Sequence, residues 1–351
     1  MQKFQKLLLL ALLILPACDG FGGGAADVKG VYIVNQGIFG QNNGSVTVFN
    51  PEANAVVQDA IPNLKSLLQS LSFSNGYGYL TANTGNRLEV FDAETSQRLG
   101  QISNVSNIRY FVAQNDEIGY ATDLYNNKVH VLDLKALTVK ASLTTGPNPE
   151  GLVLWNNQLI VANYGFGFST TLSVFDTGTN QLTRTIDLKC DAPRAVFVDE
   201  DDEIWAVCDG KTEYNMDYTQ IIAQTNAEVV VLDGHTFTEQ KRFKLTTQAG
   251  AASFGQDAYY AKGSEELYVV AGGKILRFNT ATNAEPEALS LHGSGEIGGL
   301  AYDAKAERLY VSRLNATNPY TAAGSVYVYD RAGTHLNTFT AGLVPTHIAL
   351  R

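Results

Sequence analysis

Three cysteines and five histidines in 351 residues leave little material for the side-chain chemistry of most enzymes and metal sites. No G-x-S-x-G, H-E-x-x-H or P-loop occurs, and no cysteine pair has zinc-ligand spacing. The histidines (His130, His235, His292, His335 and His347) are scattered along the chain. Positive charge is also short: 25 Lys and Arg face 35 Asp and Glu, for a net charge of −10. Without a basic stripe or an Arg-rich helix, the electrostatic footprint of a nucleic-acid partner is missing. The acidic run at 199–203 lacks the Gly and Glu positions of an EF-hand loop and reads as a solvated hairpin turn. No cofactor and no metal is expected.

What the sequence has in abundance is one short pattern. "GSVTVFNPEANAV" at 44 returns as "NRLEVFDAETSQR" at 86, "NKVHVLDLKALTV" at 127 and "TTLSVFDTGTNQL" at 170. It returns again as "AEVVVLDGHTFTE" at 227, "GKILRFNTATNAE" at 273 and "GSVYVYDRAGTHL" at 324. Each copy closes on Asp or Asn, whose side chain can bond backbone N–H groups two or three residues on and so fix a turn locally. A strand such as "GVYIVNQG" or "QLIVANYG" precedes each copy, and a looser one such as "QLTRTIDL" follows. A fourth type includes "NIRYFVAQ", "PRAVFVDE", "SFGQDAYYA" and, at the C-terminus, "PTHIALR".

A unit of roughly 40 residues repeated seven times predicts a seven-bladed β-propeller of four-stranded blades, an all-β fold spanning 30–351. The chain begins on the second strand type and ends on an extra copy of the fourth. The ring therefore closes if "PTHIALR" pairs with "GVYIVNQG", leaving no open edge. A monomeric ring is expected.

Residues 1–17 differ: Lys3 and Lys6 precede an uninterrupted apolar run from Leu7 to Leu15, too short for a comfortable membrane span. "LPAC" at 15–18 looks like a bacterial lipobox, which predicts cleavage before Cys18 and a lipid anchor on its sulfur. Residues 18–29 are Gly-rich, as a tether would be. Removing Lys3 and Lys6 takes the charge to −12. The chain is expected to be exported and held by lipid only, at an outer membrane or cell surface in preference to an inner membrane. In that oxidising space Cys190 and Cys208 either pair or stay as buried thiols.

In a propeller the connections divide between two faces. One face would collect short, uniform, acidic hairpins; the other would collect long, variable loops rich in Tyr, Phe, Asn and Gly. Variable loops on a rigid scaffold are where binding usually lives. These loops carry Tyr164, Phe166, Tyr214, Tyr218 and Arg313. On the same face, the starts of the innermost strands bring Arg109, Glu150, Arg194, Glu296 and His347 toward the central channel. Either these groups orient a polar ligand over the pore, or they pair with one another and solvate the channel.

The whole ring resembles the YVTN/YncE-like propellers, whose repeat is visible in "LIVANYG…LSVFDTGTN". More narrowly, "VYIVNQGIFGQNNGSVTVFNPE", "GYATDLYNNKVHVLDL" and "NPEGLVLWNNQLIVANYG" resemble a family of seven-bladed surface lipoproteins. Some of its members capture cobalamin beside a TonB-dependent outer-membrane transporter. The resemblance implies a binding face lined by Asn35, Gln36, Phe39, Asp123 and Tyr125, with Arg109 and Tyr110 near the channel. Gln36 stands where that family usually has an acidic residue. The expected function is non-catalytic: capture of a small molecule, a corrinoid being the ligand the resemblance suggests, or docking on such a transporter. The alternatives are a lactonase- or lyase-type enzyme, with His347 and Glu150 or Glu296 meeting over the channel, and a surface-layer or adhesive scaffold.

Overall fold

The computed structural model describes residues 29–351; the leader, Cys18 and the tether up to residue 28 lie outside the described residues. Seven four-stranded antiparallel sheets are arranged as the blades of a propeller. Blade one contains Val31–Asn35, Ser45–Asn50 and Ala55–Val57, with the C-terminal Pro345–Leu350 as its innermost strand. Val31 faces Leu350, Ile33 faces Ile348 and Asn35 faces Pro345, so the two chain ends close the ring as the repeat order predicts. Arg351 N–H donates to the Gly30 carbonyl and Lys29 N–H to that of Arg351, where every other blade has a continuous hairpin. The innermost strands of blades two to seven are Leu68–Ser74, Ile108–Ala113, Pro149–Trp155, Pro193–Val198, Ala258–Ala261 and Ile297–Asp303.

The burial pattern explains why some strands are easy to read and others are not. A blade is covered on both faces by its neighbours, so inner and middle strands are apolar without alternation: all five residues of Val31–Asn35 are buried. The outermost strands meet solvent, and six of the seven residues of Gln181–Asp187 are exposed. Seven apolar clusters fill the seven gaps between blades. Trp205 is fully buried between blades five and six, stacked 5.8 Å from Phe243, with its indole N–H on Asp199 at 2.8 Å. The acidic run at 199–203 is thus a hairpin turn with a structural carboxylate at its start.

The recurring Asp or Asn does what its chemistry predicts in all seven units. Asn50, Asp92, Asp133, Asp176, Asp233, Asn279 and Asp330 each accept a backbone N–H three or four residues on. The bond from the Thr95 amide is the main reason the Asp92 carboxyl sits below the ordinary carboxylate range. These turns all lie on one face, the hairpin face.

Candidate functional site

The opposite face carries the long loops. Asp209–Ala227 in blade five includes its own two-stranded hairpin, Thr212–Tyr214 against Ile221–Gln224. A disulfide joins Cys190, on the connector entering that blade, to Cys208 at the end of its second strand.

The principal departure from the sequence reading is in blade six. "SFGQDAYYA" was expected to be an innermost strand, but the strand begins only at Ala258. Residues 250–257 instead form a plug across the channel mouth, with a 3-10 turn at Ala252–Phe254 in which Ser253 and Phe254 both have positive φ. Three consecutive plug carbonyls are gripped by side chains from four blades. Gln36 donates to Ser253 at 3.3 Å, Gln69 and Arg109 donate to Phe254 at 3.0 and 3.2 Å, and Arg194 donates to Gly255 at 2.8 Å. Gln256 completes the seal: its N–H donates to the Thr346 carbonyl, and its side-chain oxygen accepts from Ile348. Gly255 is required sterically, because a Cβ there would lie 2.0 Å from the Gly298 carbonyl oxygen.

The charged groups expected at the channel mouth are brought together, but beneath and around this plug. Arg109 pairs with Glu150 at 2.9 Å and also reaches Gln69. Arg194 lies 2.9 Å from Asp257 and 3.4 Å from Asp209, and its guanidinium sits 5.8 Å from the rings of both Tyr164 and Phe254. Burial, then the neighbouring Asp257 carboxylate, pushes the Asp209 carboxyl well above its ordinary range, against the pull of Arg194. His347 is bonded through Nε2 to the Leu71 carbonyl at 3.0 Å, and burial lowers its pKa to about 4, so the ring is neutral. Tyr110 lies 6.4 Å from it, its phenol pushed up by burial. Below the plug an axial cavity of about 330 Å³ is lined by Phe73, Tyr110, Leu152, Phe197 and His347, among others. Glu296 is exposed and stands apart from this network.

Two residues expected on the binding face are buried. Asn35 bonds Thr47 and the Gly342 amide. Asp123 is held by His130, Ser106 and Asn126. Both fix loop bases and present nothing to solvent, being at most 1% exposed.

The aromatic residues stand out from the surface. Phe39 is 88% exposed and Tyr218 80% exposed. Tyr125, Phe166 and Tyr164 form a ladder with ring centroids 6.0 and 5.6 Å apart, and Tyr214 lies 6.1 Å from Tyr218. Of nine exposed Phe and Tyr side chains among the described residues, eight stand on the loop face and only Tyr77 is on the hairpin face. The sequence reading did not single out Phe168, Phe254 or Tyr320 among these, nor Met216, which projects fully from the blade-five hairpin. It also passed over Gln69 and Asp257, although each sits at the start of an innermost strand as Arg109, Glu150 and Arg194 do. That shared position was the signal that could have found them.

These features define a class: a seven-bladed propeller with a plugged mouth and a one-sided aromatic crown. The chain belongs to the family described as "Domain of unknown function (DUF5074)", which matches residues 29–341. No curated protein matches the sequence. Among solved structures it is similar to a quinonprotein alcohol dehydrogenase-like protein from Bacteroides thetaiotaomicron (TM-score 0.68, 16% identity, 92% of this chain and 78% of the other). It is also similar to a 6-phosphogluconolactonase candidate from Bacteroides fragilis (TM-score 0.67, 12% identity, 92% and 98%). A third is hydrazine synthase of Kuenenia stuttgartiensis (TM-score 0.65, 16% identity, 80% and 88%). At these identities the likeness is one of fold.

Proposed function

We propose that the chain is a non-catalytic binding protein, anchored by lipid on Cys18, that captures a small polar ligand on its loop face for an outer-membrane transporter of the TonB-dependent kind. The observation that carries this reading is the concentration of exposed aromatic side chains on that face. Rigid aromatic surface beside adaptable Asn and Gly is the composition of binding sites, and exposed apolar patches on a monomer mark interaction surfaces. The engagement of Glu150 by Arg109 and of His347 by a backbone carbonyl, with Glu296 standing apart from both, favours binding over a lactonase- or lyase-type reaction. The resemblance to cobalamin-capturing lipoproteins makes a corrinoid the first ligand to try.

Truncating a well-packed aromatic anchor typically costs about 2 kcal/mol, roughly thirtyfold in affinity. Titration calorimetry with cobalamin is expected to show such a loss for at least one of Phe39→Ala, Tyr125→Ala and Phe166→Ala, and none for Tyr77→Ala. Absence of heat with any corrinoid removes that ligand. Wild-type affinity in all three variants for whatever ligand is found removes the loop face.

The anchor is tested separately. Metabolic labelling with a palmitate analogue is expected to mark the wild type and not Cys18→Ser; equal labelling of both rejects the lipoprotein assignment.

A further inference from the structure

Three arginines are buried at the loop face, and two of them are neutralised: Arg109 by Glu150, Arg194 by Asp209 and Asp257. Arg313, the last residue of strand Arg308–Arg313 in blade seven, is not. It is 8% exposed, its Nη1 donates to the Gly295 carbonyl at 2.9 Å, and its guanidinium lies 5.9 Å from the Tyr327 ring centroid. The neutral Tyr329 hydroxyl lies beside it, its buried Nε makes no hydrogen bond of good geometry, and among the described residues no carboxylate pairs with it. A buried cation is ordinarily paired, because removing its water is costly unless a counter-charge replaces it. Here the protein supplies none.

The guanidinium stands in the wall between two clefts. One, of about 610 Å³, lies against the plug and is lined by Ala251, Ala252, Glu296 and Asn315. The other, of about 360 Å³, runs outward between blades six and seven past Lys274, Ser290 and His292. Lys274 is exposed and, among the described residues, also has no carboxylate partner. Glu296 is the single acidic side chain lining either cleft, and it is turned to solvent. On a chain of net charge −10, this is a locally positive recess. Gly293 leaves the guanidinium its place, since a Cβ there would lie 2.7 Å from the Arg313 Nε.

We propose that this double cleft seats an oxyanion, a carboxylate or a phosphate, carried by the molecule captured on the loop face. Arg313 contributes the desolvated, directional donor, and Lys274 adds a mobile point charge at the rim. The assignment rests on the loop face being the binding face, and it gives that ligand a chemical class: anionic.

The full chain in detergent is titrated calorimetrically with inorganic phosphate and, separately, with citrate, at an ionic strength held constant with chloride. At least one anion is expected to bind in the millimolar range, about −4 kcal/mol. Binding of phosphate alone identifies a phosphoryl group and binding of citrate alone a carboxylate. Arg313→Met is expected to weaken binding at least tenfold and Lys274→Met severalfold, while Glu296→Gln strengthens it by removing the competing charge. Binding of neither anion, or wild-type affinity in a folded Arg313→Met, overturns the proposal. If Arg313→Met does not fold, unchanged affinity in both Lys274→Met and Glu296→Gln overturns it instead. Tyr77→Ala, on the hairpin face, is expected to leave small-anion affinity intact. Loss of the anion response with crown-dependent capture retained rejects this subsite alone. Anion binding that depends on Arg313, with no crown-dependent capture in the corrinoid titrations, rejects the capture reading and leaves the subsite standing.

Discussion

Deleting residues 345–351 should yield no stable monomer. The lost segment is the innermost strand of blade one; it buries Ile348 and Ala349 and pairs with Val31–Asn35 along its length. A fully buried Ile contributes roughly 1.5–3 kcal/mol by itself. The deletion also exposes the N–H and C=O groups of a flat, apolar strand, a template for pairing with other chains. The plug loses its seal as well, since Gln256 is bonded to both Thr346 and Ile348. Size-exclusion chromatography of the truncated protein is expected to show aggregate, and a synthetic peptide of residues 344–351 added during refolding should restore some monomer. A monomeric truncation with unchanged melting would mean that the ends do not close the ring.

Arg194→Met should be the most damaging single substitution at the channel mouth. It leaves Asp209 and Asp257 buried beside each other and frees the Gly255 carbonyl from its donor. Removing one partner of a buried ion pair costs about 3–5 kcal/mol, roughly 10 °C of melting temperature in a domain of this size. The cost should depend on pH in a definite direction. Burial already raises the Asp209 carboxyl above its ordinary range in the native state, against the pull of Arg194, and losing Arg194 raises it further. A carboxyl whose folded pKa is raised gives stability that is present below its unfolded value and lost as pH rises through the folded one. The variant's deficit should therefore be smallest near pH 4 and grow toward neutrality. Urea unfolding at both pH values measures it, and an equal deficit at the two would argue against the buried carboxyl pair.

The ring was legible because each of its parts is local. The seven Asp or Asn turns depend on contacts three or four residues apart, and the blade strands are marked by unbroken apolar runs. Closure needed only the order of strand types. The plug was not legible because nothing local marks it. "SFGQD" occupies the place of an innermost strand, and its departure is fixed by Ser253 and Phe254 adopting positive φ, which neither side chain favours. What holds it there is supplied by residues as far as 217 positions away, as with Gln36 and Ser253. For the same reason Arg109, Glu150 and Arg194 could be placed near the channel from sequence, while their partners could not. Exposure is likewise a tertiary property: Asp123, at the end of strand Ile118–Asp123, and Tyr125, in the loop that follows, are two residues apart, yet the first is buried and the second stands in solvent.

Blade one is nicked where the other blades turn a hairpin, so Lys29 stands on the side opposite the aromatic crown. Force applied between Lys29 and the crown acts along the axis of Val31–Asn35. That strand is flanked on both edges, by Ser45–Asn50 and by Pro345–Leu350. Pulled lengthwise, its two ladders are loaded in shear, with many hydrogen bonds bearing force together instead of peeling one after another. Resistance to forced unfolding is set by the rate of rupture and not by equilibrium stability. The clasp that joins the chain ends is therefore also the element that carries any load applied between Lys29 and the loop face.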